Sequence, residues 1–228
     1  SKTYVPSRLL LGPGPSNAHP EVLKALSLNP IGHLDDAYLE LMSDVQHLLR
    51  YAWQCDNRVS LPMSGTGSAA MEASIANFIE KDETILIAKK GYFGDRLVDM
   101  ASRYKANVVV IEKEWGEAFS LDEIKFEIEK NKPSIFAIVH AETSTGVLQP
   151  LDGIGEFCRK NNCLFLVDAV TSLGAVKLLV DDWKIDLAYS CSQKGLSCPP
   201  GLSPFTMNDR AEEKLKNRKS KVPNWYLD

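Results

Sequence analysis

The chain of 228 residues is 44% hydrophobic and 25% charged, as expected for a globular protein with a substantial core. Its formal net charge of −4 argues against nucleic acid or an anionic membrane as the main partner. Five cysteines without a CxxC pair, no long apolar segment and no secretory signal predict free thiols and a cytoplasmic location, and the scattered histidines predict no metal site.

The first part of the chain combines a stiff arm with two predicted helices. Residues 1–18 contain the string GPGPSN, in which prolines fix φ and glycines permit positive φ, so we expect a shaped N-terminal arm. A helix is predicted at about 20–27, with Ser16 or Asn17 as its cap, and apolar residues at helical spacing predict another over 36–54.

Short apolar runs alternate with helical patterns along the rest of the chain. Strands are predicted at 84–88, 107–112, 134–141, 163–170, 185–191 and 202–207. Helices are predicted at 66–80, 94–104, 120–131 and 152–161, and a charged helix and loop follow the last strand. This order predicts an α/β fold whose mostly parallel sheet has helices on both faces, in one domain over residues 19–228.

Ligands of such folds bind at the carboxyl ends of the strands, and four features of the chain are predicted to lie there. In SGTGSAA, Gly65 and Gly67 lead into a predicted helix whose first N–H groups could bind a phosphate, although a serine-capped tight turn also fits. Asp168 ends a strongly apolar strand. It could hold a positive charge such as a protonated pyridine nitrogen, or serve as a helix cap or the partner of a lysine.

Lys194 follows another predicted strand within YSCSQKG, where small neighbours leave room around its amine. Such a lysine can form a Schiff base, although most lysines are surface charges. The string HAETSTG adds a hydroxyl-rich loop at a further strand end, either as a capped turn or as a ligand contact. A phosphate site, a carboxylate for a heterocyclic cation and a reactive lysine together describe a site for pyridoxal 5′-phosphate.

Six strings, in order, resemble the alanine–glyoxylate and serine–glyoxylate aminotransferases, which are class V members of the fold-type I pyridoxal-phosphate enzymes. They are LLLGPGPSN, SGTGSAAMEA, GYFGDR, HAETSTGVLQPL, LVDAVTSLG and YSCSQKGLSCPPG, and the similarity extends over about residues 9–210. The resemblance implies that Lys194 forms a Schiff base with the cofactor aldehyde and that Asp168 pairs with the pyridine nitrogen. It also implies that Val170 and Phe93 lie on the two faces of the ring, where many relatives have tryptophan instead of the phenylalanine.

The same resemblance assigns the remaining residues of the site. The phosphate site that it implies consists of Thr66, Gly67, Ser68 and Gln193. Some relatives have histidine at the position of Ser68. Thr143 would lie near the ring oxygen, and Gly14 of the arm would lie beside the substrate.

The activity that the resemblance implies is transfer of the amino group of alanine or serine to glyoxylate, which gives glycine and a keto acid. It further implies a homodimer that acts on small molecules, in which the neighbouring subunit completes the phosphate site. Family members are longer and have a small C-terminal domain with an arginine for the substrate carboxylate. We expect that domain to be absent from this chain.

Two other functions are compatible with the same residues. A class V cysteine desulfurase would share the cofactor, and Cys191 and Cys198 flank Lys194, although buried structural thiols explain these cysteines as well. A truncated, non-catalytic subunit that keeps the fold is the other alternative. A dinucleotide-binding dehydrogenase would need GxGxxG after its first strand, and this pattern does not occur in the sequence.

Overall fold

The computed structural model describes residues 4–228, so the first three residues of the predicted arm lie outside it. The helices are α1 (Pro20–Ala25), α2 (Asp36–Trp53), α3 (Gly67–Phe78), α4 (Tyr92–Arg103), α5 (Leu121–Asn131), α6 (Ile154–Lys160) and α7 (Asp209–Lys216). The strands are β1 (Val59–Ser64), β2 (Thr84–Lys89), β3 (Asn107–Glu112), β4 (Ile135–Val139), β5 (Ala141–Glu142), β6 (Val147–Leu148), β7 (Leu164–Asp168), β8 (Leu187–Tyr189) and β9 (Leu202–Met207).

Seven of these strands form one sheet in the order β1-β9-β8-β7-β4-β2-β3. The five strands from β8 to β3 are parallel to one another, whereas β9 is antiparallel to both of its neighbours, β1 and β8. The two remaining strands, β5 and β6, form a short antiparallel pair after β4. The prediction of a mostly parallel sheet is therefore confirmed.

Helices cover both faces of the sheet because the interior strands are apolar on both sides. In β2, Ile85 and Ile87 pack in a core with residues of α3, α4 and α7. Leu86 and Ala88, which point the other way, pack in a second core with residues of α2, α5 and α6. This two-sided packing confirms the predicted α/β fold, and it leaves the carboxyl ends of the parallel strands free to form a site.

Like the two-residue strand β6, strand β1 was not predicted from the sequence pattern. Its sequence VSLPMS alternates and contains Pro62, a residue that is tolerated in edge strands but not in the middle of a sheet. It pairs with β9, so that Val59 is aligned with Met207, and the hydroxyl oxygens of Ser60 and Thr206 lie 2.8 Å apart. The partner that stabilises β1 is thus far away in the sequence.

The start of α1 differs from its prediction as well. The cap of this helix is His19, whose Nδ1 accepts a hydrogen bond from the N–H of Glu21, and not Ser16 or Asn17. The Asn17 side chain instead accepts a hydrogen bond from the N–H of Leu10 within the arm. None of the helices in residues 4–228 is long and apolar enough to cross a membrane.

Candidate active site

A cavity of about 210 Å³ lies where the segments after β7 and β8 meet the start of α3. It is lined by Thr66, Gly67, Ser68, Met71, Phe93, Arg96, Asp168, Val170, Gln193 and Lys194. Eight of the ten predicted site residues are in this lining. The other two, Gly14 and Thr143, lie outside it, while Met71 and Arg96 were not predicted.

Asp168 is the last residue of β7 and is 2% exposed. Its Oδ1 accepts a hydrogen bond from the N–H of Val170, and its Oδ2 accepts one from the hydroxyl of Tyr189, both at 2.9 Å. Burial raises the pKa of Asp168 to about 6, although these two hydrogen bonds act in the opposite direction. The carboxylate is therefore fixed in orientation, and a cation beside it in the cavity would stabilise its ionised form.

The first turn of α3 forms another part of the wall. Thr66 is the N-cap residue, yet its side chain makes no capping hydrogen bond with any residue that the structure describes. The first N–H groups of the helix are thus available to an anion. Gly67 lies close to the segments after β7 and β8, because a Cβ there would be 2.9 Å from Val170 Cγ2 and 3.3 Å from Cys191 Cβ. Met71 could have been inferred from its position one turn after Gly67 on the same helix face.

Arg96 brings a positive charge to this part of the cavity. Its Nη1 donates a hydrogen bond to Ser68 Oγ at 3.0 Å, and its guanidinium carbon lies 4.9 Å from the centre of the Phe93 ring. The same guanidinium also lies over the ring of Tyr92. A lone arginine on a helix is ordinarily solvated, which is why Arg96 was not predicted. Its spacing of three residues from Phe93 is the signal that could have indicated it.

Lys194 follows β8 and is held by the N-terminal arm. The hydroxyl of Ser16 donates a hydrogen bond to the carbonyl oxygen of Lys194 at 3.0 Å, and the N–H of Ser16 donates one to the carbonyl of Gln193 at 3.1 Å. Gly14 lies against the lysine side chain, since a Cβ at Gly14 would be 2.8 Å from Nζ. The arm therefore shapes the surroundings of the lysine amine.

The hydroxyl-rich loop after β4 contacts the segment after β7. Thr143 Oγ1 shares a hydrogen bond with Thr171 Oγ1 at 2.5 Å. Glu142 is buried, and its Oε1 accepts hydrogen bonds from the N–H and the hydroxyl of Ser144. This loop thus supports the wall that carries Asp168 rather than lining the cavity itself.

Of the two cysteines beside Lys194, Cys191 is not activated as a nucleophile. Cys191 is buried, and burial raises the pKa of its thiol, which disfavours the reactive thiolate. Cys198 donates a hydrogen bond to the carbonyl of Leu196 at 3.3 Å. Across the described range, no group of three or more His, Cys, Asp or Glu residues could hold a metal ion.

The chain matches the sequence model of the family Aminotransferase class-V over residues 10–221. Alanine–glyoxylate aminotransferase of Mus musculus is 43% identical over 224 residues, which are 98% of this chain and 54% of that protein. (S)-ureidoglycine–glyoxylate transaminase of Bacillus subtilis is 43% identical over 214 residues, which are 94% of this chain and 51% of that protein. The chain therefore spans about half the length of the curated relatives it matches.

One solved structure reproduces the whole described fold. The crystal structure of an alanine–glyoxylate aminotransferase from Nostoc sp. superposes with a TM-score of 0.98 at 60% sequence identity. The superposition covers 100% of this chain and 60% of that one.

Proposed function

The chain belongs to the class-V aminotransferase family, and from this premise we propose that it binds pyridoxal 5′-phosphate in a transaminase that transfers an amino group from alanine or serine to glyoxylate. The observation that carries the proposal is the cavity, because it brings Lys194, Asp168 and the uncapped start of α3 together. The names of the Mus musculus and Nostoc relatives support alanine and glyoxylate as the substrate pair.

The polar residues of the cavity fit the charged parts of that cofactor. The free N–H groups at the start of α3 and the guanidinium of Arg96 fit a phosphate dianion. The Oε1 of Gln193 is buried and has no hydrogen-bond partner among the described side chains and backbone, so this amide is free to turn its Nε2 toward the phosphate. Asp168 fits a protonated ring nitrogen because a neighbouring cation stabilises a buried carboxylate. Val170 and Phe93 provide apolar surface for the ring.

When bound, pyridoxal phosphate supplies an aldehyde that bonds to amines and a ring that withdraws electrons. The Nζ of Lys194 would anchor the aldehyde and, as a free amine, would take the α-proton of the amino acid. Asp168 would hold a proton on the ring nitrogen, since its two fixed hydrogen bonds prevent the carboxylate from turning away. Gly14 would leave space for the substrate beside the lysine.

A third amino donor, besides alanine and serine, is supported by one specific comparison. The Bacillus subtilis relative matches this chain as well as the Mus musculus relative does, at 43% identity, and its name pairs (S)-ureidoglycine with glyoxylate. Glyoxylate is thus common to both names. Glycine formation from glyoxylate, measured with alanine, serine or (S)-ureidoglycine as the donor, would distinguish the candidates in the whole protein.

The partner that we propose is a second copy of the same chain. Of the 23 large hydrophobic residues that are exposed in the described range, 14 lie in residues 4–51. Such a concentration of exposed apolar residues is typical of an interaction surface. Analytical ultracentrifugation tests this proposal, and a monomer at micromolar concentration would contradict it.

Covalent capture of the cofactor tests the proposed chemistry. The chain is mixed with pyridoxal phosphate, reduced with borohydride and digested, and the modified peptide is identified by mass spectrometry. We expect Lys194 to be modified in the wild-type chain and the modification to be lost in Lys194→Arg. The control Lys177→Arg, which alters an exposed lysine, should leave the modification of Lys194 unchanged. Modification spread over exposed lysines in the wild-type chain would contradict the proposal.

A further inference from the structure

Lys90 is a buried lysine that the proposed chemistry does not use. It directly follows β2 and is 1% exposed. Its Nζ donates a hydrogen bond to the carbonyl oxygen of Val139 at 2.9 Å. The pairing of β2 with β4 ends at Ala88 and Ile138, so this carbonyl lies one residue beyond the ladder. Lys90 thus supplies the hydrogen-bond donor that the end of β4 would otherwise lack.

A neutral side chain could supply that donor without burying a charge. Burial lowers the pKa of Lys90 to about 8, because an ammonium group loses its hydration inside the protein. The negative charges of Glu142 and Asp168 act in the opposite direction and favour the charged lysine. The presence of a charged lysine at this position is therefore explained by Glu142 and Asp168 rather than by the carbonyl of Val139.

The register of the strands places Asp168 near this ammonium. Val139, which accepts the hydrogen bond from Lys90, is aligned with Asp168 across the parallel pair β4 and β7, and such strands lie about 4.8 Å apart. Glu142 follows three residues after Val139 and is 1% exposed. Its Oε2 is buried without a hydrogen-bond partner in the part of the chain that the structure covers. One cation and two carboxylates therefore share a single buried region.

Other ionisable groups near this region come from several elements. They are His140 after β4, Tyr189 on β8, Arg96 on α4, and Cys191 and Lys194 after β8. Burial lowers the pKa of His140 to about 4 and raises that of Tyr189, so both are neutral near pH 7. Within the cluster, Lys90 and Glu142 are the groups whose opposite charges act on Asp168: Glu142 raises its pKa and Lys90 lowers it.

We propose that Lys90 is a positioning residue that keeps Asp168 ionised against the neighbouring charge of Glu142. It acts through Asp168, since Lys90 is not part of the cavity lining. The inference rests on the proposed function for its purpose, because an ionised Asp168 supplies the negative charge that stabilises a protonated ring nitrogen of pyridoxal phosphate.

The test measures Asp168 in the cofactor-free chain, so its result does not depend on whether pyridoxal phosphate binds. The side-chain carboxyl carbon is followed by ¹³C NMR as the pH is varied, and its resonance is identified by its loss in Asp168→Asn. Lys90→Gln removes the charge but keeps an amide donor for Val139. A merely structural role of Lys90 predicts an unchanged titration in that variant.

Two further variants complete the test. Glu142→Gln removes the opposing charge and keeps an oxygen for its hydrogen bonds to Ser144. Lys89→Gln is the matched control, because Lys89 precedes Lys90 in the chain but forms ion pairs with Asp95 and Glu112 instead.

We expect Asp168 to bind its proton about tenfold more tightly in Lys90→Gln than in the wild type, which raises its pKa. The pKa is expected to fall in Glu142→Gln and to stay the same in Lys89→Gln. If the pKa of Asp168 is unchanged in Lys90→Gln, the proposal is overturned. If Lys90→Gln does not fold, the proposal is overturned by an unchanged or raised pKa of Asp168 in Glu142→Gln. If these shifts occur but Lys194 captures no cofactor, the proposed function fails while the role of Lys90 stands.

Discussion

The hydroxyl of Ser16 donates a hydrogen bond to the carbonyl oxygen of Lys194 at 3.0 Å, although 178 positions separate the two residues in the sequence. The N–H of Ser16 donates to the adjacent carbonyl of Gln193. A segment at the start of the chain thus fixes the backbone from which the lysine projects.

Replacement of Ser16 by alanine is expected to slow the capture of pyridoxal phosphate by Lys194. The lost hydroxyl hydrogen bond contributes about 1 kcal/mol, which corresponds to about a fivefold change. The capture rate is measured by stopped-flow absorbance. Ser27→Ala is the control, since Ser27 also donates to a backbone carbonyl, that of Lys24, but in the exposed turn after α1. Equal rates in both variants would show that the arm does not position the lysine.

Asp168→Asn is expected to stabilise the cofactor-free chain at neutral pH. The folded-state pKa of Asp168, about 6, lies above its ordinary value of about 4. Between these two pH values, Asp168 is therefore still protonated in the folded chain but already ionised in the unfolded chain. Over this window the contribution of Asp168 to the free energy of unfolding falls as the pH rises, by about 2 to 3 kcal/mol in total. Asparagine removes this cost while it keeps a side chain of the same shape.

Urea denaturation of the wild type and Asp168→Asn at about pH 4 and about pH 7.5 measures this effect. We expect the variant to be more stable at the higher pH and the two proteins to be nearly equal at the lower pH. The same variant should capture pyridoxal phosphate less well, because it lacks the charge that holds the ring nitrogen. A wild-type advantage at pH 7.5 would contradict the predicted cost of burying the carboxylate.

Arg96→Met is expected to weaken the binding of the cofactor phosphate. The variant keeps an apolar stem over the Phe93 ring but loses the charge beside Ser68. A charge-assisted hydrogen bond contributes about 1.5 to 3 kcal/mol, or about 10- to 150-fold in affinity. The measurement compares the affinity for pyridoxal phosphate with the affinity for pyridoxal, which lacks the phosphate. The ratio of these two affinities should be smaller in Arg96→Met than in the wild type. Arg103→Met, which removes an exposed arginine of the same helix, should leave that ratio intact.

Gly67→Ala is expected to destabilise the chain by about 1 to 3 kcal/mol. The added Cβ would lie 2.9 Å from Val170 Cγ2 and 3.3 Å from Cys191 Cβ, so α3 or these side chains would have to shift. Thermal unfolding measures the effect. Gly32→Ala is the control, because no atom lies within 4 Å of a Cβ at that position. Equal melting temperatures for the two variants would indicate that the contact relaxes at no cost.

Elements with strong local signals could be predicted from the sequence. The predicted helix over 120–131 corresponds to α5, in which Ser120 and Glu123 cap the first turn reciprocally. The apolar string LFLVD is recognisable as a buried strand by itself, and it places Asp168 at a carboxyl end. By contrast, β1 depends on a partner that is distant in the chain, and no local pattern indicates it.

The residues of the candidate site likewise divide into those that the sequence indicates and those that depend on distant neighbours. Lys194, Asp168 and the glycine turn before α3 were predictable because strand ends of a parallel sheet converge. Lys90 was not, since its role follows from its three-dimensional neighbour Val139, and the only local signal for Arg96 was its spacing of three residues from Phe93. The boundary between arm and domain, the homodimer and the cytoplasmic location stay predictions.

The antiparallel strand β9 has a consequence for the order in which the protein is made. The strand β1 is bordered by β9, and the turn that follows β1 is fastened to the segment before β9, because the N–H of Gly65 donates to the carbonyl of Gly201 at 2.9 Å. On the ribosome, β1 is therefore synthesised long before its partner emerges. Until Met207 has been added, β1 has no strand to pair with. We therefore expect this edge of the sheet to form only after β9 has left the ribosome.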